Sequence, residues 1–163
     1  MFIYTGTPEI TAGATDKFGY KIPTDEKVPL TIENISEPRF SYAITKILGE
    51  SGFINYANKY KFDAVIVRYH NVYGPIGTFD GGREKAPAAL CRKIALSKIN
   101  NIKEIEVWGD GNQTRSFMYI SDCLEGTQKL FNSELDEPYN VGSDEQVSIN
   151  QMINMIEEIA DFK

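Results

Sequence analysis

Tyr42 and Lys46 stand four residues apart in a segment whose apolar residues recur at helical spacing, so both side chains project from one helix face. An ammonium held beside a phenol favours tyrosinate. A tyrosinate so placed can take the proton of an alcohol while the carbon gives up a hydride. The spacing alone decides little, because nine tyrosines in 163 residues give about one such pair by chance. The alternative is a half-buried tyrosine beside a solvated lysine. Thr7 lies just past a predicted strand, at the carboxyl end where α/β sheets bind ligands, and can hydrogen-bond the same hydroxyl or simply form a turn.

The elements that must position these groups follow from apolar periodicity. Phe2 to Thr5 reads as a short buried strand ended by Gly6-Thr7-Pro8. Thr11 to Glu37 reads as a long irregular loop. Arg39 to Lys59 is a predicted helix carrying Tyr42 and Lys46, with Pro38 before its start. The unbroken apolar run of Ala64 to Arg68 suits a strand covered on both faces. Ala86 to Ser97 follows as a helix with Pro87 in its first turn. Ile105 to Trp108 and Ser116 to Ile120 read as strands joined by the turn Gly109-Asp110-Gly111. Ser121-Asp122 is expected to cap a helix reaching Phe131. Tyr139 to Val141 forms a short strand, and Ser148 caps a last amphipathic helix with Ile149, Met152, Ile153, Ile156 and Ile159. Strands alternating with helices predict an α/β fold with a parallel sheet.

Bulk properties narrow the function. A length of 163 residues allows one compact domain and is too short for two large ones. The net charge of −6 argues against a nucleic-acid binder, since no basic surplus exists to displace counterions. No apolar run is long enough to cross a bilayer and no signal peptide opens the chain. Cys91 and Cys123 lack zinc or disulfide spacing and are expected to be small buried hydrophobes, consistent with a cytoplasmic setting. His70 is the only histidine, which excludes a histidine metal cluster or a Ser/His/Asp triad. Trp108 is expected in the core rather than as a platform for a nucleobase.

Tyr42-Ala-Ile-Thr-Lys46 followed by Arg68-Tyr-His-Asn-Val-Tyr-Gly-Pro75 resembles the paired signatures of extended short-chain dehydrogenase/reductases acting on nucleotide sugars, the NAD-dependent epimerase/dehydratase family. The stretches Gly81 to Ala89, Trp108 to Phe117 and Asn140 to Glu145 resemble the GDP-mannose 3,5-epimerase branch in particular, and the match spans nearly all of 39–157. The resemblance implies NAD as cofactor and a nucleotide sugar, GDP-linked, as substrate. It assigns Tyr42 as catalytic base, Lys46 as its electrostatic partner and binder of the nicotinamide ribose, and Thr7 as the triad hydroxyl. Asn71 and Arg115 are implied as substrate contacts, the latter to the pyrophosphate, and Lys85 as an acid/base at the sugar ring. Without the family, Lys85 reads as a surface charge. The implied architecture is the C-terminal part of a Rossmann-like sheet (1–76) and a mainly substrate-binding α/β subdomain interleaved with the last Rossmann elements (77–163). A homodimer pairing through the Tyr42 helix is implied as well.

Two departures accompany the match. Where the 3,5-epimerases carry a cysteine two residues past the triad hydroxyl, this chain has Glu9, either a base at C5 or a solvated carboxylate. A glutamate there resembles the 4,6-dehydratases, yet Pro8 stands where their aspartate is. A 4-oxidoreductase or dehydratase is therefore the sibling reading, and a non-catalytic nucleotide-sugar binding module the alternative of another class. No G-x-G-x-x-G or G-x-x-G-x-x-G occurs between a strand and a helix, so the N-terminal cofactor-binding half is expected to be missing and the isolated chain inactive.

Overall fold

The computed structural model describes residues 1–11 and 17–162; the part of the expected loop at 12–16 lies outside the described residues. The chain divides into two compact units, Met1–His70 with Ser121–Gly142, and Asn71–Ile120 with Ser143–Lys163.

The first unit is built on a three-stranded parallel sheet in the order β1 (Phe2–Gly6), β2 (Ala64–Tyr69), β6 (Pro138–Val141). The expected α/β class with a parallel sheet is what the chain adopts. The central strand β2 buries Val65, Ile66 and Val67 to 2% exposure or less, as its continuous apolar run requires of a strand covered on both faces. β1 reads as a buried strand from its sequence; among the described residues it lies at the sheet edge, with Phe2 60% exposed.

A 3₁₀ turn follows at Pro8–Thr11, burying Ile10 completely. Between 19 and 38 the chain forms only turns and bends, the irregular loop its glycines and prolines imply. The long helix α1 (Arg39–Tyr60) packs on β1 and β2, burying Phe40, Ala43 and Glu50, and ends where Lys61 turns left-handed and donates its N–H to Ala57 O. The helix α3 (Ile120–Phe131) begins one residue before the expected cap, so Ser121 lies inside it and its hydroxyl hydrogen-bonds Asp122.

The second unit has little sheet. β3 (Val72–Tyr73) pairs parallel with β5 (Met118–Tyr119), and β4 (Thr114–Arg115) pairs antiparallel with β7 (Val147–Ser148). The expected strand at Ile105–Trp108 does not form, and Ser116 to Ile120 supplies only the two residues of β5, so there is no hairpin around Gly109-Asp110-Gly111. The physical reason is that Ile105 and Val107 bury their side chains against Leu90, Ile149 and Met152 without a partner strand. An alternating apolar pattern reports a buried face, not the ladder beside it. Trp108, expected in the core, is 83% exposed, and Cys91 is exposed while Cys123 is buried as expected.

Two helices flank that core. α2 (Ala86–Asn100) runs three residues beyond the expected Ser97 and stops at a left-handed Asn101. α4 (Ile149–Ala160) starts from a capping box in which Ser148 Oγ accepts from Gln151 N at 3.1 Å and Gln151 Oε1 accepts from Ser148 N at 2.8 Å. Its far end leaves Ile159 86% exposed.

Candidate active site

In the first unit the candidate residues gather at the carboxyl end of β1. α1 presents Tyr42, half exposed, and one turn on Lys46, whose ammonium donates to Thr5 O at 2.7 Å. The ammonium lies 5.4 Å from the centroid of the Tyr4 ring and 5.7 Å from that of Tyr42, within reach of both π faces. It is held by the strand end rather than free in solvent. Thr7 is buried, and its hydroxyl accepts from the Glu9 N–H at 3.4 Å. Glu9, the second residue of the 3₁₀ turn, pairs with Arg39 at 3.7 Å, with both side chains half exposed.

β1 and α1 interlock residue by residue. Tyr4 OH occupies the space a side chain at Gly49 would need, and contacts the Lys46 carbonyl at 3.5 Å. Burial raises the Tyr4 phenol above its ordinary value, with the Glu50 charge and Tyr42 adding to the effect. Gly6 then abuts Glu50, another turn along α1 from Lys46. Glu50 and Arg68 form a bidentate ion pair at 2.8 and 3.1 Å, with both side chains 5% exposed or less. Arg68 also donates to Glu26 O at 3.2 Å, and the Glu26 carboxylate accepts from Asn140 N at 3.0 Å. The irregular loop is thereby tied to the carboxyl ends of β2 and β6. Sequence reasoning missed Glu50, Glu26 and this use of Arg68. A signal existed, since Glu50 continues the Tyr42 and Lys46 stripe at i+8, and Arg68 interrupts an otherwise apolar strand. His70, half-buried with Nε2 unpartnered, is held below its ordinary value by burial, against the opposing influence of Asn140 and Glu26.

The other candidates belong to the second unit. Asn71, with φ at +26°, donates from Nδ2 to Ser116 O at 3.1 Å while its carbonyl accepts from Met118 N at 3.2 Å. Lys85 is the exposed residue that precedes α2. Its neighbour Glu84 pairs at 3.2 Å with Arg92, which also reaches Asp80 at 3.5 Å. Arg115 is exposed on β4, its guanidinium donating to Thr114 O at 2.8 Å. Trp108 and Arg115 flank a turn secured by Asn150, whose Nδ2 donates to Asp110 O at 3.0 Å. Among the described residues no group of His, Cys, Asp and Glu is arranged to hold a metal ion, and no helix is long and apolar enough to cross a membrane.

A parallel α/β sheet with a Tyr-x₃-Lys helix packed beside the carboxyl end of its first strand defines a Rossmann-type chain of the short-chain dehydrogenase/reductase kind. Residues 1–142 match the NAD dependent epimerase/dehydratase family, and the chain belongs to it. The GDP-mannose 3,5-epimerase of Arabidopsis thaliana is 46% identical over 121 residues, 74% of this chain and 31% of that protein. An uncharacterized UDP-glucose epimerase of Bacillus subtilis is 32% identical over 141 residues, 85% of this chain and 42% of that one. Among solved structures, the UDP-glucuronic acid 4-epimerase of Bacillus cereus in complex with NAD superimposes with a TM-score of 0.69 at 30% identity, over 99% of this chain and 47% of that one. The epimerase of Methanothermobacter thermautotrophicus gives 0.77 at 23% identity, a likeness of fold. The chain thus spans between 31% and 42% of the length of these curated relatives.

Proposed function

We propose that this chain carries the sugar-handling chemistry of an NAD-dependent nucleotide-sugar epimerase, acting on a GDP-linked hexose. The observation that carries the reading is the Lys46 ammonium, fixed on Thr5 O at the end of β1 and close to the Tyr42 ring. The identity of 46% to a GDP-mannose 3,5-epimerase favours GDP over other nucleotides.

The donor set suits the nicotinamide-ribose end of NAD: Lys46 has two ammonium hydrogens beyond the one given to Thr5 O, and the Tyr42 hydroxyl stands on the same helix face. When bound, NAD supplies the hydride acceptor that turns C4 of the sugar into a ketone and later returns the hydride. The Tyr42 oxygen takes the C4 hydroxyl proton and gives it back, and the Lys46 charge favours the phenolate that does so. The Thr7 hydroxyl orients the same oxygen. A ketone at C4 acidifies the protons on C3 and C5, and Glu9 and Lys85 serve as the acid/base groups that remove and restore them. Asn71 and Arg115 bind the nucleotide sugar, Arg115 by paired N–H donors to the pyrophosphate. In this assignment the second unit is mainly a substrate-binding subdomain. The setting is cytoplasmic carbohydrate metabolism, and the exposed Ile44, Leu48 and Ile54 of α1 support pairing as a homodimer.

A second reading, a 4-oxidoreductase or dehydratase that stops at the keto-sugar, is favoured by Glu9 standing where the 3,5-epimerases carry cysteine. The test is turnover of GDP-mannose in deuterated water, followed by NMR, in a polypeptide joining this chain to a glycine-rich NAD-binding segment. Solvent deuterium at C3 or C5 is expected, with Tyr42→Phe slowing exchange by ~100-fold or more. A 4-keto product, either oxidised without exchange or dehydrated at C6 with deuterium at C5, would select the second reading. Deuterium in a hexose that regains its C4 hydroxyl selects the first, and inertness on every GDP-sugar would defeat both. The 163-residue chain alone, which has no glycine-rich fingerprint, is expected to be inactive.

A further inference from the structure

Three consecutive residues of β1 meet neighbouring points on one face of α1. Tyr4 fills the space beside Gly49, Thr5 accepts from Lys46, and Gly6 lies against Glu50. The third contact is the least forgiving. A methyl group on Gly6 would sit 2.7 Å from Glu50 Oε1 and 3.0 Å from Arg68 Cγ, so the ion pair occupies the whole space that an absent side chain leaves. Gly6 is also the residue paired with Arg68 across the parallel ladder, and Arg68 is paired with Asn140. Glu26 meets both Arg68 and Asn140 from the loop, closing a row of contacts that runs across all three strand ends.

A buried ion pair is a poor source of net stability, because desolvating two charges offsets most of their attraction and an apolar pair of similar volume often serves as well. What the pair supplies is direction: a carboxylate and a guanidinium joined by two parallel bonds tolerate little rotation. Consecutive helix residues are separated by about 100°, so a modest turn of α1 would carry the Lys46 ammonium off Thr5 O. We propose that Glu50 and Arg68 are positioning residues whose buried pair, seated against Gly6, fixes the rotation and axial setting of α1 and so holds Lys46 on the end of β1 beside the Tyr42 ring. This deepens the epimerase reading and rests on it, since it takes Tyr42 and Lys46 to be the working groups. Neither Glu50 nor Arg68 needs to touch a substrate for it to hold.

The experiment reads Lys46 directly, without ligand or turnover. In the 163-residue chain labelled with ¹³C-lysine, the Lys46 Cε–H signal is identified by its loss in Lys46→Arg. It is expected to be displaced from solvent-exposed lysines by the currents of the Tyr4 and Tyr42 rings. Glu50→Met with Arg68→Met replaces the pair by apolar side chains of similar reach, and circular dichroism with thermal unfolding reports whether the fold survives. A folded double variant with the Lys46 signal shifted to the solvent-exposed position supports the proposal; a folded one with the signal unmoved overturns it. Should the double variant not fold, Gly6→Ala decides by the same signal, because it displaces the pair while leaving both charges present. Unfolding of both would assign the pair to stability alone and also overturn the proposal. Failure of the epimerase reading is separate: it shows as inertness on every GDP-sugar of the polypeptide joined to a glycine-rich NAD-binding segment, whatever the Lys46 signal does.

Discussion

The two units are held together by different means. In the first, backbone ladders join three parallel strands, β2 is sealed on both faces, and one fully buried ion pair links β2 to α1. In the second, each strand pair is two residues long, and the segments between are joined by side chains that donate to backbone carbonyls: Asn71 to Ser116, Lys93 to Glu106, Gln113 to Trp108, Asn150 to Asp110 and Lys98 to Ala160. A ladder fixes many residues at once and leaves a few side chains to carry specificity. A unit stitched by individual bonds spreads that task over many positions. Single substitutions should therefore cost the first unit much at a few places and the second unit moderate amounts at many.

The sharpest way to break this contrast is Glu50→Ala, which leaves the Arg68 charge buried without its partner. We expect a loss of ~3–5 kcal/mol, since an uncompensated interior charge cannot recover its hydration. Urea titration followed by resolved amide signals should show β2 melting earlier, with α4 less affected. In the second unit, Gly111→Ala should cost ~2 kcal/mol, because φ is +74° and the added carbon would collide with the Asn150 amide that secures the turn. Equal costs in the two units would remove the distinction. Smaller still, Ser148→Ala deletes one half of the capping box and should cost ~1 kcal/mol, read at the first-turn amides of α4.

The same division explains what the sequence disclosed. The parallel sheet, α1 and the Tyr42 and Lys46 stripe were legible because apolar run length and helical spacing are local properties, and here tertiary structure agrees with them. Ser148 was legible for the same reason, as capping is decided within four residues. Ile105 to Trp108 misled because burial of alternate residues can be satisfied by helices as well as by a partner strand. Trp108 misled because aromatic type carries an average burial, whereas its exposure depends on a turn held by Asn150, some forty positions away. At the candidate site, Tyr42 and Lys46 could be picked from spacing with family support, and Glu50 could have been picked from the same stripe. Its pairing with Arg68 could not, because no local rule brings a helix residue to a strand residue 18 positions on. Glu26 is further from reach: it sits in an irregular loop, and its contact with Asn140 spans 114 positions.

Acid should separate the two units in the same sense as mutation, with smaller effects that begin at different pH. In the first unit, His70 is held below its ordinary value of 6.5, chiefly by burial. As pH falls through 6.5 the unfolded chain takes up a proton before the folded one does, so stability declines between 6.5 and the lower folded value. In the second unit, the Glu84 carboxyl is held below its ordinary 4.5 by its own backbone N–H, that of Gly82, and Arg92. Asp110 is held below 3.8 by the N–H groups of Asn112. Depressed carboxylates contribute stability that is present above their unfolded values and is lost as pH falls through the folded ones. Between pH 7.5 and 5.5 the urea midpoint read at β2 should therefore drop while that read at α4 stays level, and His70→Gln should flatten the β2 response. A decline in that range that survives His70→Gln would place the sensitive group elsewhere. An equal decline at α4 would mean that the two units unfold as one, and then the contrast between them would describe their construction but not their stability.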